Sequence, residues 1–216
     1  MAGISRNASS HMQAASSSLH PSQHIGSDMG NPSKKRGTMV GRDDTIMAAP
    51  DIACALGELT VRWTAIEYEL TLLFKFLSGC TYETAGAVMY GVNATSARLD
   101  IVRLTAERHE NKKDAALALE ALPWVRRLCA RRNALVHHRW FYDVLTETCY
   151  TFDYRAAPGA ENRRKKQSVR AILALCNECT DALRPLKKAY GSDISDEQII
   201  ATKISETQLR ARMSAK

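Results

Sequence analysis

No run of about 18 apolar residues occurs in this sequence, so no membrane-spanning helix is expected. Its first residues contain no apolar core of about 7–15 residues, which a secretory signal needs, and the expected location is the cytoplasm. No fixed-period repeat is present, which excludes a solenoid or propeller. Cys176 and Cys179 form a CxxC, but no second cysteine or histidine pair accompanies it, so no metal site and no cofactor is expected. The other cysteines, at 54, 80, 129 and 149, lie mostly among apolar neighbours and read as reduced core thiols, not a disulfide framework.

What remains is a chain of 216 residues with 45% hydrophobic and 25% charged content, enough for one packed domain plus extensions. The net charge of +7 and pI near 9.2 favour contact with an anionic partner.

Residues 1–46 are rich in Ser, Gly, Asn and His and poor in large apolar side chains, and are expected to be disordered. Their small basic cluster, Lys34-Lys35-Arg36, reads as part of a solvated linker. A helical domain is expected over 47–191, and over 192–216 either a polar C-terminal helix or an arm on a partner.

Ile52, Leu56, Leu59, Trp63, Ile66, Leu70, Leu73 and Leu77 recur in steps of three and four. They predict one long helix, opened by Pro50-Asp51 and stopped by Gly79. Shorter helices are predicted over Tyr82–Tyr90 and from a cap at Asn93 or Thr95 to about His109. A fourth spans Asp114 to about His138, with Pro123 as a kink or as the first turn of a separate helix. The period then changes. Trp140, Tyr142 and Val144, followed by Cys149, Thr151, Phe152 and Tyr154, predict a small β-hairpin turning at Thr146-Glu147-Thr148. A last core helix is predicted from about Arg163 to Tyr190, and one polar helix over Asp196–Met213. The fold class is therefore mainly α: a bundle of four to five core helices with a hairpin insertion.

The chemistry concentrates at the end of the fourth helix. Between Leu122 and Phe141 stand Arg126, Arg127, Arg131, Arg132, Arg139, His137 and His138, with no carboxylate among them. A histidine with a pKa of about 6.5 takes a proton from a ribose 2′-hydroxyl or returns one to a leaving oxygen. An arginine stays charged and holds a phosphate through two parallel hydrogen bonds. Asn133 and His137, four apart, share a helix face. Arg132 is about 140° away from His137 but carries a long side chain.

Two alternatives stay open. His138 or Arg131 substitutes for its neighbour at similar spacing. Otherwise Arg132 is a core ion pair, with Glu67 of the first helix as its partner, and His137 is a boundary residue. Arg126, Arg127 and Arg139 are candidate RNA contacts. So are Arg163, Arg164, Lys165 and Lys166, which are placed at the start of the last helix. Cations there oppose the helix dipole, and a bound phosphate relieves that cost.

Arg132-Asn133-Ala134-Leu135-Val136-His137 resembles the R-N-x-x-x-H signature of the HEPN superfamily, small helical-bundle proteins of toxin–antitoxin and phage-defence systems. The likeness covers the architecture over about 50–190, but only six residues in motif. The resemblance implies a homodimer with both motifs facing one cleft. It also implies a metal-independent endoribonuclease that leaves a 2′,3′-cyclic phosphate, and an antitoxin or nucleotidyltransferase as partner. Carried over by position, Arg132, Asn133 and His137 are the catalytic residues. Because some members keep the fold without the activity, the alternative is a non-catalytic helical dimer that binds RNA or a partner protein.

Overall fold

Helix α1 (Pro50–Ser78) is set by its apolar stripe. Pro50 occupies the first turn, where a missing N–H costs nothing, and Gly79 closes the helix at φ 69°, returning its N–H to the Lys75 carbonyl at 3.0 Å. Ile52, Leu59, Trp63, Ile66, Leu70, Leu73 and Leu77 are all buried. Each such side chain contributes about 1.5–3 kcal/mol of burial free energy. The computed structural model describes residues 39–40 (backbone), 48–155 and 164–215. Most of the 1–46 segment expected to be disordered lies outside them.

Helices α2 (Tyr82–Gly91), α3 (Thr95–Arg108) and α4 (Lys112–His137) follow. Thr81 caps α2 by accepting from the Thr84 N–H, and Asn111 caps α4 by accepting from Lys113 and Asp114. Thr95 is the first residue of α3 rather than its cap. Its hydroxyl donates instead to Glu67 at 3.0 Å. Pro123 neither ends nor divides α4, which is one helix across it. Ala121, Leu122 and Val125 are buried around the proline, and that packing outweighs the lost backbone bond.

The predicted hairpin is part of a larger sheet. Strands β1 (Met39–Val40), β2 (Arg139–Asp143), β3 (Thr148–Phe152) and β4 (Arg164–Gln167) lie in that order, all antiparallel. Residues 144–147 make the β2–β3 turn, with Glu147 at φ 46°. Two of these strands were not expected from the spacing. Met39 and Val40, within the segment expected to be disordered, pair with Asp143 and Tyr142. Arg164–Gln167, expected to open the last helix, extend the sheet along the free edge of β3. Ser168 is why the helix starts later: its hydroxyl accepts the Ala171 N–H at 3.2 Å, so α5 runs over Val169–Lys188. Arg164, Lys165 and Lys166 thereby stay out of its first turn, which keeps a single cation, Arg170.

Helix α5 packs chiefly on α1 and α4, burying Ile172, Leu175, Cys176, Cys179, Ala182 and Leu186. The C-terminal residues form two helices, α6 (Asp196–Thr202) and α7 (Glu206–Ser214), not one. Ser195 and Ser205 each close a capping box with the glutamine three residues on. Between them Ile204 is buried and exchanges two backbone hydrogen bonds with the Asn177 side chain, at 3.1 and 3.0 Å. Leu209 is fully buried and Arg212 reaches Glu58 at 2.8 Å. The last helix thus packs on α1 and α5 of its own chain. Among the described residues no helix is long and apolar enough to cross a membrane.

Candidate functional site

The six-residue motif occupies the last turns of α4, held down by Leu135 in the core and by the Trp140 indole, which donates to the Leu135 carbonyl at 2.7 Å. Arg132 is half-buried. Its guanidinium carbon lies 5.8 Å from the centre of the Trp63 ring, and its Nη1 donates to Asn133 Oδ1 at 3.1 Å. Its buried Nε has no hydrogen-bond partner among the described residues. The Asn133 amide turns its N–H toward Cys129 Sγ, 3.6 Å away. Burial pushes the Cys129 thiol up, and the nearby Arg132 charge opposes that shift.

Glu67 is not the partner of Arg132. Its carboxylate sits 3.2 Å from Arg98 Nη1 and accepts from Thr95 Oγ1 at 3.0 Å and from the Trp63 indole at 3.2 Å. Trp63 therefore stands between the two, giving its ring to Arg132 and its N–H to Glu67. One residue of α3, Arg98, satisfies the carboxylate that one of the two open alternatives had given to Arg132.

The two histidines differ in exposure. His137 is exposed, whereas His138 is half-buried as the residue that ends α4. His138 Nε2 lies 3.7 Å from Asp153 Oδ2. It lines a groove of about 400 Å³ with Arg131, Lys165 and Lys166, floored by Ala134, Leu135, Ala171 and Leu175. Arg131 makes a two-point contact with Glu178, both carboxylate oxygens being engaged. That pair is exposed and contributes little stability.

The other candidate cations are dispersed. Arg126 pairs with Asp100 at 2.6 Å, and Arg127 is exposed one turn before the motif. Arg139 lies over the Phe141 ring at 5.3 Å, and Arg164 over the Tyr150 ring at 3.6 Å. Arg163 lies outside the described residues. The fold thus gathers Arg131, His138 and Lys165 around one groove, while Lys166 only borders it and by register shares the other face of the sheet with Tyr150. It keeps Arg132, Asn133 and His137 together on the helix end, and sends Arg139 and Arg164 to the sheet.

Trp63 and Asp153 contact Arg132 and His138 without a local signal of it in the sequence. Trp63 was visible only as a core position of the α1 stripe. Asp153 had no local signal, because its partner lies 15 residues away across a strand pair. Among the described residues no group of three or more His, Cys, Asp or Glu side chains is placed to hold a metal. Burial pushes the Cys176 thiol up to about 11 and the Cys179 thiol up to about 12, so neither offers a ready thiolate at neutral pH.

Chemically, the helix end presents an exposed imidazole five residues beyond a guanidinium fixed by an amide and a ring. That arrangement suits proton transfer beside a developing phosphate charge. No protein-family model matches the sequence, and comparison with curated proteins and with solved structures returns no match.

Proposed function

We propose that this protein is a metal-independent endoribonuclease of HEPN type, a toxin-like or phage-defence effector, acting as a homodimer whose two motif helices share one cleft. The observation that carries the reading is that exposed His137 closes the same helix on which Arg132 is held, by Asn133 beside it and by the Trp63 ring of α1. In the reaction the 2′-oxygen of one nucleotide attacks the adjacent phosphorus while His137 takes the 2′-proton. The P–O5′ bond breaks, and the 5′-oxygen receives a proton from an imidazolium, which the second motif of a dimer supplies. The products are a 2′,3′-cyclic phosphate and a 5′-hydroxyl. Arg132 neutralises the charge that gathers on the phosphoryl oxygens.

The test is incubation of the full chain with total RNA in excess chelator, with end-group analysis of any fragments. Cyclic-phosphate ends that persist with chelator and vanish in His137→Ala are expected. Intact RNA sinks the reading. A second reading, a non-catalytic helical dimer that binds RNA, is favoured by one observation: the Arg132 guanidinium is half-buried against Trp63, as a packing arginine would be. RNA bound but never cut decides for it.

A further inference from the structure

Strand β2 starts at Arg139, two residues after α4 ends, so the sheet continues directly from the motif. Its two faces have different chemistry. Trp140, Cys149 and Thr151 are buried toward the bundle, and Tyr142 packs on the same core. The remaining positions alternate onto the outer face. There the register sets Arg139 opposite Phe152, Phe141 opposite Tyr150, Tyr150 opposite Lys166, and Phe152 opposite Arg164. Three aromatic rings and three cations thereby share one surface.

The rings are half-buried and the cations exposed. Phe141 and Phe152 meet edge to face, centroids 5.9 Å apart at 86°. Arg139 covers Phe141 and Arg164 covers Tyr150. An acid stands there too: Asp143, its carboxylate 4.0 Å from Arg164 and its side chain only 14% exposed. Flat rings with cations over them match a ligand carrying both π-faces and phosphates. A duplex offers phosphates but keeps its bases stacked inside, and an acidic protein surface has no use for the rings. A single strand offers both.

We infer that this outer sheet face is a stacking platform for single-stranded RNA. Tyr150, Phe141 and Phe152 take bases, and Arg139, Arg164 and Lys166 take the flanking phosphates, leading the strand to the His137 end of α4. The inference rests on the RNA reading of the motif and names the form of RNA that reaches it. Arg164 exchanges its ring contact for a phosphate when a base stacks on Tyr150.

The experiment uses the full chain carrying His137→Ala, so that nothing is cut, and reads anisotropy of a labelled, unstructured oligouridylate over a salt series. Tyr150→Phe keeps the ring and should bind like the parent. Tyr150→Leu keeps apolar volume but loses the flat ring, and should bind about 5- to 150-fold more weakly. Arg164→Ala, at an exposed position, should weaken binding and lower the log–log salt slope by about one. Annealing the probe to its complement should weaken binding strongly, a comparison that needs no variant. Parent-like binding by Tyr150→Leu, or equal affinity for strand and duplex, overturns the platform. The two proposals separate cleanly. Ring-dependent binding without cleavage by the wild-type chain keeps the platform and removes the nuclease. Cleavage with ring-independent binding does the reverse.

Discussion

Trp63 links two charged residues that never meet: its ring lies 5.8 Å from the Arg132 guanidinium carbon, while its indole N–H donates at 3.2 Å to Glu67, which Arg98 holds. Arg132 is therefore anchored by a ring and an amide, not by a buried carboxylate, and this decides what its removal costs.

Arg132→Ala should lower stability by only about 1 kcal/mol, the scale of a partly buried cation–π contact. Breaking a buried ion pair would cost about 3–5 kcal/mol. Under the proposed function the same variant should cut RNA about 10²–10³-fold more slowly, and Arg132→Lys should not recover the rate. Arg98→Ala should be the more destabilising change, because it leaves the partly buried Glu67 without its cation. Urea denaturation of the variants checks the order; an Arg132→Ala variant that melts far earlier than Arg98→Ala contradicts it.

His137→Ala should melt within about 0.5 kcal/mol of the parent, since an exposed imidazole packs little, and should lose RNA cleavage. His138→Ala should keep cleavage. If the two results are exchanged, the proton-transfer group is His138, in the groove beside Asp153.

Glu69 is buried on α1, accepts from the Tyr190 hydroxyl and lies 3.0 Å from Lys187 Nζ. Tyr190→Phe removes one donor from that carboxylate and should cost about 1–3 kcal/mol. An unchanged urea midpoint would show that the bond contributes nothing net.

Alkaline pH should unfold the protein through its buried thiols. The unfolded chain releases thiol protons from about pH 9, the ordinary value, whereas burial keeps Cys176 and Cys179 protonated in the fold to about 11 and about 12. The folded state then binds more protons than the unfolded one, so stability is whole below pH 9 and falls as pH rises through this window. The slope is at most about 1.4 kcal/mol per pH unit for each thiol. Tyr190, raised by burial and by its bond to Glu69, adds the same sign above about pH 10. Melts from pH 8 to 11 should steepen downward in the parent and less in the Cys176→Ala/Cys179→Ala variant; parallel curves would exclude the thiols.

Light scattering at micromolar concentration should give the mass of two chains, as a composite site requires. A single-chain mass removes the shared cleft and leaves the bundle as described.

The sequence determined the elements whose signals are local. The three-and-four spacing from Ile52 to Leu77, with Pro50 before it and Gly79 after it, sufficed to place α1 and its buried residues, because a helix buries one face of its own periodicity. The shift to alternating residues after His138 gave β2 and β3 for the same kind of reason. Tertiary structure decided the rest. Residues 164–167 are strongly charged and fit several backbone states; the unpaired edge of β3 made them a strand. Asp196–Met213 reads as one polar helix, but Asn177 and the core take Ile204 and split it. At the site, spacing put Arg132, Asn133 and His137 on one helix end. Only the packing of α3 against α1 could give Glu67 to Arg98, and only that of α4 against α1 could give Trp63 to Arg132, because a charge's partner is fixed by distance in space and not by separation along the chain.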